Sequence, residues 1–331
     1  MSRLRVGVIG VGHLGSLHAK MLSGIPEALL VGVLDADRSR ADAIAAETGA
    51  ASFGTPGELL GSVEAVIIAA PTSEHFELAR RAVDAGVHLF VEKPMTTTVA
   101  QARTLVDLAR AKNLKLQVGH IERFNPALLA LEKYRLAPMF IESHRLAQFN
   151  PRGTDVAVVL DLMIHDIDII VSLVRSPVAE IEANGVAVVS DTIDIANARI
   201  RFENGCVANV TASRISQKKM RKMRLFQKDA YISIDFSEGA AEVFRLRNDG
   251  DAEEGNNTLL LGEIESGAVK RKIVYEQPEV KEVNALQHEL ERFIRAVQRD
   301  EEPAVTGEEG LRALQLAHDI MIRIQGQPLT L

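Results

Sequence analysis

The chain has 331 residues, more than one typical core holds, and its 47% hydrophobic and 25% charged content is that of an ordinary globular protein. A net charge of -7 argues against a nucleic-acid partner, and a single cysteine, Cys206, excludes an intrachain disulfide and a cysteine-built zinc centre. No apolar run approaches the roughly 20 residues of a membrane helix, and MSRLRVGVIGVGHLG carries no signal-peptide pattern, so a cytoplasmic protein with no membrane partner is expected.

In chain order, LRVGVIG (4–10) reads as a short strand and SLHAKMLSG as a helix. LLVGVLD (29–35) is a second strand, and RSRADAIAAETG a helix that ends at a glycine. AVIIAAP (65–71), HLFVEK (88–93) and LKLQVGHI (114–121) are further strands, with EHFELARRAVDAG and TVAQARTLVDLARAKN as the helices between them. Apolar strands alternating with amphipathic helices predict an α/β domain over 1–121, a doubly wound parallel sheet covered on both faces.

Beyond residue 121 the pattern changes. A helix at about 125–134, the strand FIESHRLA and the apolar helix VVLDLMIHDIDIIVSLV (158–174) come first. Then follow IEANGVAVVS, IDIANARIRF, GCVANVTASR, MRLFQ, AYISIDF, EVFRLR and KRKIVYE, with Asn204-Gly205 marking a hairpin. This predicts an α+β domain over 122–331 with a large, mostly antiparallel open sheet. Residues 248–266 contain an acidic, Gly/Asn-rich loop. Helices at about 284–299 and 307–325 close the chain, the last free to pack back on the first domain. Lys218, Lys219, Arg221, Lys222, Arg224 and Lys228 crowd into one run. That run reads as a solvated or edge-strand face, or as a site for an anionic substrate group or an oligomer contact.

Gly10-x-Gly12-x-x-Gly15 ends the first strand and opens the first helix. Such glycines permit a tight turn, close approach of a pyrophosphate and close helix–strand packing. Gly10, Gly12, His13, Leu14 and Gly15 are therefore expected at a dinucleotide, with free helix N–H groups facing its phosphates. Asp35, 20 residues past Gly15, ends the second strand, where a carboxylate meets the adenosine ribose hydroxyls. Its charge repels a 2′-phosphate and favours NAD, while Arg38 and Arg40 keep NADP open. Ala70, Pro71, Thr72 and His75 follow the fourth strand, toward the nicotinamide half. For His75 the alternative is a helix-terminal residue with no part in chemistry.

Glu92-Lys93-Pro94 ends the next strand. The Lys93 ammonium there would hydrogen-bond a substrate oxygen and favour its alkoxide-like form, the alternative being a surface lysine. With 158–174 as one α-helix, Asp161, His165 and Asp168 (i, i+4, i+7) fall within about 60° of one another. Asp161 then fixes the tautomer of His165 and leaves the other nitrogen to take a hydroxyl proton. An exposed helix face and a metal site are the alternatives; no His or Cys cluster supports a metal, and none is expected. Asp166 points away from this stripe and needs a buried partner that the sequence does not name.

These residues resemble a known family. Gly10-x-Gly12-x-x-Gly15, Ala70-Pro71-Thr72-x-x-His75, Glu92-Lys93-Pro94, Arg123-Phe124-x-Pro126 and Asp161-x-x-x-His165-Asp166 stand in the order and spacing of the glucose–fructose oxidoreductase/inositol dehydrogenase/MocA (Gfo/Idh/MocA) family, across both halves of the chain. The resemblance implies a Rossmann domain, then an α+β domain whose open sheet forms a homodimer or homotetramer interface. It implies NAD(P)-dependent redox chemistry on sugars, cyclitols or their derivatives. It implies Lys93 as the cleft lysine, His165 as the acid/base, Asp161 as its partner and a cis peptide before Pro94. Glu92 is expected at the cofactor, and His120, Arg123, Asn150, Asp161 and His165 at the substrate. VGHIERFNPA (118–127) looks most like the UDP-N-acetylglucosamine 3-dehydrogenase branch, other members having an aromatic residue or asparagine where His120 stands. The expected activity is oxidation of a secondary hydroxyl of a sugar, with a nucleotide sugar such as UDP-N-acetylglucosamine as candidate. The alternatives are a cofactor-binding sensor without catalysis and a reductase of another carbonyl or a tetrapyrrole.

Overall fold

The computed structural model describes residues 2–150, 156–248, 258–266 and 269–326. It divides into two units, Met1–Ile121 with Asn284–Gln315, and Glu122–Val283 with Leu316–Leu331. The expected second domain, 122–331, differs from this division because 284–315 group with the first unit.

In the first unit the short apolar runs form six parallel strands: β1 (Leu4–Ile9), β2 (Ala28–Leu34), β3 (Ala51–Ser52), β4 (Ala65–Ile68), β5 (His88–Glu92) and β6 (Leu116–Gly119). Their order is β3-β2-β1-β4-β5-β6. The direction of winding reverses between β1 and β4, and a crevice opens at the carboxyl ends of strands at such a point. Five helices follow the strands: α1 (His13–Gly24), α2 (Arg38–Thr48), α3 (Pro56–Leu60), α4 (Thr72–Asp84) and α5 (Val99–Ala111). Side chains cap three of them: Asp37 on α2, Thr55 in a capping box with Glu58 on α3, and Thr98 on α5. β3 and α3, with two and five residues, are too short to show a period and were not anticipated.

The same unit draws on the far end of the chain. Leu290, Phe293 and Ile294 of α8 (Ala285–Arg299) join the core around β1, β2 and α1. Val118 of β6 donates its N–H to the Val305 carbonyl, and Gly310 of α9 (Gly307–Gln325) lies so close to Val118 that a Cβ there would meet it at 2.4 Å.

The second unit is a nine-stranded sheet of β7 (Phe140–Leu146), β8 (Val178–Val186), β9 (Ile195–Phe202), β10 (Val207–Ser213), β11 (Met220–Gln227), β12 (Ala230–Asp235), β13 (Ala240–Asn248), β14 (Thr258–Ser266) and β15 (Val269–Glu276). The order is β14-β15-β13-β12-β11-β7-β10-β9-β8, and every pair except β7 with β10 is antiparallel. Gly205, at φ +87, serves the β9–β10 turn that Asn204-Gly205 predicted. One face buries Ala198, Ile200, Val210, Met223, Leu225, Ile232 and Ile234, and α7 (Ile164–Val174) packs on β7 and β10. On the other face, Phe140, Phe226, Tyr231, Phe244 and Tyr275 form one row across five neighbouring strands, with ring centroids 4.9–5.7 Å apart.

Three expectations need correction here. The helix expected at about 125–134 is a 3-10 turn, Ile121–Phe124, followed by the one-turn α6 (Pro126–Leu129). Arg221, Lys222 and Arg224 lie on an interior strand, β11, so edge protection does not explain them, while the basic residues of the run are all exposed, as a solvated face requires; Lys222 pairs with Asp235 at 3.0 Å and Arg224 with Glu142 at 2.5 Å. Within 248–266, Thr258–Ser266 form strand β14, and 249–257, where the acidic loop is expected, lie outside the described residues. Residues 158–174 are not one α-helix, because Val159–Met163 make a π-helical turn before α7. That wider turn shifts the angular phase, so the stripe of Asp161, His165 and Asp168 is not the one a uniform helix provides.

Asp166 has its partner. Arg145, at a core-facing position of β7, holds it through two bonds of 2.8 and 3.1 Å and reaches Glu122 at 3.0 Å. Asp168 is held in the same two-pronged way by Arg123, at 2.6 and 2.9 Å. Burial alone would lower the pKa of Arg145; the Asp166 and Glu122 carboxylates outweigh it and hold the guanidinium above its ordinary value. A third buried acid, Asp194, accepts the N–H groups of Val188, Val189 and Ser190 at 2.7–3.0 Å. Removing one partner of a buried pair leaves the other charge unmet. Asp166→Asn should therefore lower unfolding stability by about 3–5 kcal/mol in urea titrations. Glu77→Gln, which breaks exposed pairs with Arg80 and Arg81, should leave the midpoint within error.

Candidate cofactor and active site

The turn after β1 is built for close approach. Gly10 has φ +83, and a Cβ there would lie 2.5 Å from the Ala70 nitrogen. A Cβ on Gly15 would fall 1.7 Å from the Gly10 carbonyl oxygen. Neither position admits a side chain. Gly12 differs: the nearest atom to a Cβ there is Arg40 Nη1 at 3.9 Å, which leaves space in front of the loop. No side chain caps α1 at Gly12, so its first N–H groups face that space. His13 and Leu14 are exposed on this first turn.

Asp35 follows the end of β2. Its Oδ2 accepts the Val11 N–H at 2.8 Å and its Oδ1 the Asp37 N–H at 2.9 Å, which fixes the carboxylate beside the glycine turn. Arg40 Nη1 sits 3.4 Å from Asp35, and Arg38 pairs with Asp42 at 3.1 Å. A cavity of about 700 Å³ opens here, lined among others by Gly10, Gly12, Asp35, Arg40, Ala70 and Pro71. Its size is that of a small-molecule site. Glycines that a side chain would block, an uncapped helix start and a fixed carboxylate together fit the adenosine and pyrophosphate parts of a dinucleotide.

Thr72 begins α4 and Pro71 stands at its cap. His75, expected at the cofactor, is buried, with Nε2 2.8 Å from the Ala70 carbonyl and Nδ1 3.0 Å from the Pro94 carbonyl. Both ring nitrogens are thus turned to main chain. Glu92, also expected at the cofactor, is buried and faces inward, with Oε1 2.7 Å from His18 Nε2 and Oε2 accepting the Lys93 N–H at 3.2 Å. Lys93 is half-buried, and the Lys93-Pro94 bond is cis. His120 is buried just after β6.

In the second unit Asp161 stands in the π turn and His165 in the first turn of α7, both half-buried. Arg123, expected at the substrate, is joined to Asp168 as described. Asn150 is exposed, and the five residues that follow it lie outside the described ones. Among the described residues no group of His, Cys, Asp and Glu is arranged to hold a metal.

Sequence reasoning missed two groups around these residues. Arg145 had a signal: in Ile141-x-Ser143-x-Arg145 it takes the inward parity of a half-buried strand. His18 had only its place in an apolar helix face, which does not separate it from an ordinary core histidine.

Burial pushes the His75 imidazole below its ordinary value of 6.5, against the Ala70 and Pro94 carbonyls, which favour the charged ring. As pH falls, the unfolded chain then takes up this proton before the folded chain does. Stability from this group should be complete above about pH 6.5 and decline as pH drops below it. Thermal melts between about pH 7.5 and 5.5 check this: His75→Gln should show a shallower acid-side decline than the wild type.

With the geometry in place, the relatives can be stated. Residues 4–120 match an oxidoreductase family with an NAD-binding Rossmann fold, and residues 137–242 match the GFO/IDH/MocA C-terminal domain. The chain is 37% identical over 328 residues to UDP-N-acetylglucosamine 3-dehydrogenase of Acidithiobacillus ferrooxidans, covering 98% of each. The solved structure of an enzyme of that name from the same organism matches with a TM-score of 0.87 at 35% identity, over 98% of this chain and 99% of that one. Scyllo-inositol 2-dehydrogenase (NAD(+)) of Bacillus subtilis is 30% identical over 234 residues, 65% of this chain and 68% of that protein. No described helix is long and apolar enough to cross a membrane. With both of its family domains matched, a glycine turn fit for NAD(P) and a relative similar from end to end, the chain belongs to the Gfo/Idh/MocA family of oxidoreductases.

Proposed function

We propose that this protein is an NAD-dependent dehydrogenase that oxidises a secondary hydroxyl of a nucleotide sugar, UDP-N-acetylglucosamine, at carbon 3. The observation that carries the substrate is 37% identity to a dehydrogenase of that name over 98% of both chains. The cofactor reading rests on Asp35, whose fixed carboxylate suits ribose hydroxyls and repels a 2′-phosphate. Gly10, Gly12, His13, Leu14 and Gly15 hold the pyrophosphate, and Ala70, Pro71 and Thr72 border the nicotinamide half. NAD, when bound, supplies the hydride acceptor. Lys93 hydrogen-bonds the substrate oxygen and stabilises negative charge on it as its proton departs. His165 takes that proton, with Asp161 fixing its tautomer. Asp166 and Asp168, which follow His165 in the helix, are occupied by Arg145 and Arg123, which leaves Asp161 as the carboxylate for this role. His120, Arg123 and Asn150 border the substrate, Arg123 through its pairing with Asp168.

A cyclitol is the second reading, favoured by the inositol dehydrogenase among the relatives. The aromatic row and charged pairs on the uncovered sheet face suit contact with a second copy of the chain, as a homodimer or homotetramer.

Two measurements test the reading. Nicotinamide reduction should appear with UDP-N-acetylglucosamine and not with scyllo-inositol, and Lys93→Ala or His165→Ala should lower kcat by about 10²–10⁴ with NADH binding retained. Near-normal turnover by both variants would remove their roles. Asp35→Ser should raise the NADP-to-NAD ratio of kcat/KM by about tenfold or more, since Arg40 then stands beside an uncharged neighbour.

A further inference from the structure

We propose that His18 and His75 are positioning residues for Lys93, holding the Glu92–Pro94 main chain from two sides. The inference rests on the reading of Lys93 as the group that meets the substrate oxygen. Glu92 makes the first hold. Its Oε2 accepts the N–H of Lys93 at 3.2 Å, and its Oε1 lies 2.7 Å from His18 Nε2. An ionised carboxylate only accepts, so the proton between them belongs to His18. His18 Nδ1 is buried and meets no hydrogen-bond partner among the described residues. The arrangement is a His18 Nε2–H facing the Glu92 carboxylate.

Packing fixes this pair. The His18 ring meets Phe90 edge-on at 5.3 Å, and Phe90 meets Phe293 of α8 at 5.7 Å. Across the carboxylate, a Cβ on Gly119 would lie 2.9 Å from Glu92 Oε2, so only a glycine leaves the acid where it is. His75 makes the second hold. Its ring lies between the carbonyls of Pro94 and Ala70, at 3.0 and 2.8 Å, and in the neutral form donates to one of them. Each hold starts from the cofactor turn: His18 belongs to α1, which that turn opens, and Ala70 is the residue against which Gly10 packs. The lysine backbone and the pyrophosphate loop thus share one frame, and small misplacements of a reacting group cost up to about 10²-fold in rate.

A merely structural histidine would change stability; a positioning one changes turnover at constant binding. The test compares His18→Leu, His18→Gln, His75→Leu and Lys93→Ala. Each is assayed for thermal midpoint, for NADH affinity by fluorescence, and for kcat and KM on UDP-N-acetylglucosamine or scyllo-inositol, whichever the wild type oxidises. His18→Leu and His75→Leu should lower kcat about tenfold or more, with KM and NADH affinity within about threefold of wild type. His18→Gln keeps a donor toward Glu92 and should recover most of that loss. Folded His18→Leu with wild-type kcat, or a loss that follows NADH affinity and is not recovered by glutamine, overturns the proposal. Should His18→Leu not fold, Glu92→Gln decides. It keeps the shape but loses an acceptor, so a tenfold fall in kcat supports the hold and an unchanged kcat overturns it. Full turnover by Lys93→Ala would instead overturn the reading of Lys93 itself.

Discussion

Charge removed from water has to be met at fixed geometry, and this constraint organises the interior of both units. Asp166 would be untenable on a helix as apolar as α7 without Arg145, and Arg145 would be untenable on the inward face of β7 without Asp166 and Glu122. Each group dictates the other's place, so strand, helix and 3-10 turn are tied by directional bonds rather than by apolar packing alone. Asp168 with Arg123, and Glu92 with His18, repeat the arrangement. These bonds fall on helix α7 and at the end of β5, the two elements that carry His165 and Lys93.

What the sequence reveals depends on how local the physics is. The glycine turn was legible because its constraint acts within a few residues: φ +83 at Gly10 and the space that a Cβ on Gly15 would occupy belong to one turn. The alternation of strands and helices over 4–119 was legible for the same reason, since each element buries a face that its own period defines. The Asn204-Gly205 hairpin needed only its own turn. By contrast, β3, α3 and β14 exist through neighbours, and a period calculation over two to nine residues does not separate them from loops.

The candidate site divides along the same line. The place of Asp35 beside the glycine turn was legible because its distance from Gly15 is set by one strand–helix–strand unit. The inward turn of Glu92 and His75 was not, because the groups they bind, His18 and the Pro94 carbonyl, are 74 and 19 residues away. The spacing argument for Asp161, His165 and Asp168 assumed a uniform helix, and nothing in VVLDLM announces a π turn. Asp166 was recognised as needing a partner; naming Arg145 required the register of a strand against a helix, which is tertiary information.

The contribution of α8 to the first unit has a consequence for biosynthesis. The nucleotide-binding sheet is translated first, yet Leu290, Phe293 and Ile294 complete its core, and the strip at Val305 covers the edge of β6. A nascent chain therefore emerges with an unfinished first unit, which waits through the synthesis of the whole antiparallel sheet. Folding of that unit is closed by residues separated from β1 by nearly the full chain, a high contact order for a Rossmann sheet. The ribosome must pass α8 before the core of that sheet can close.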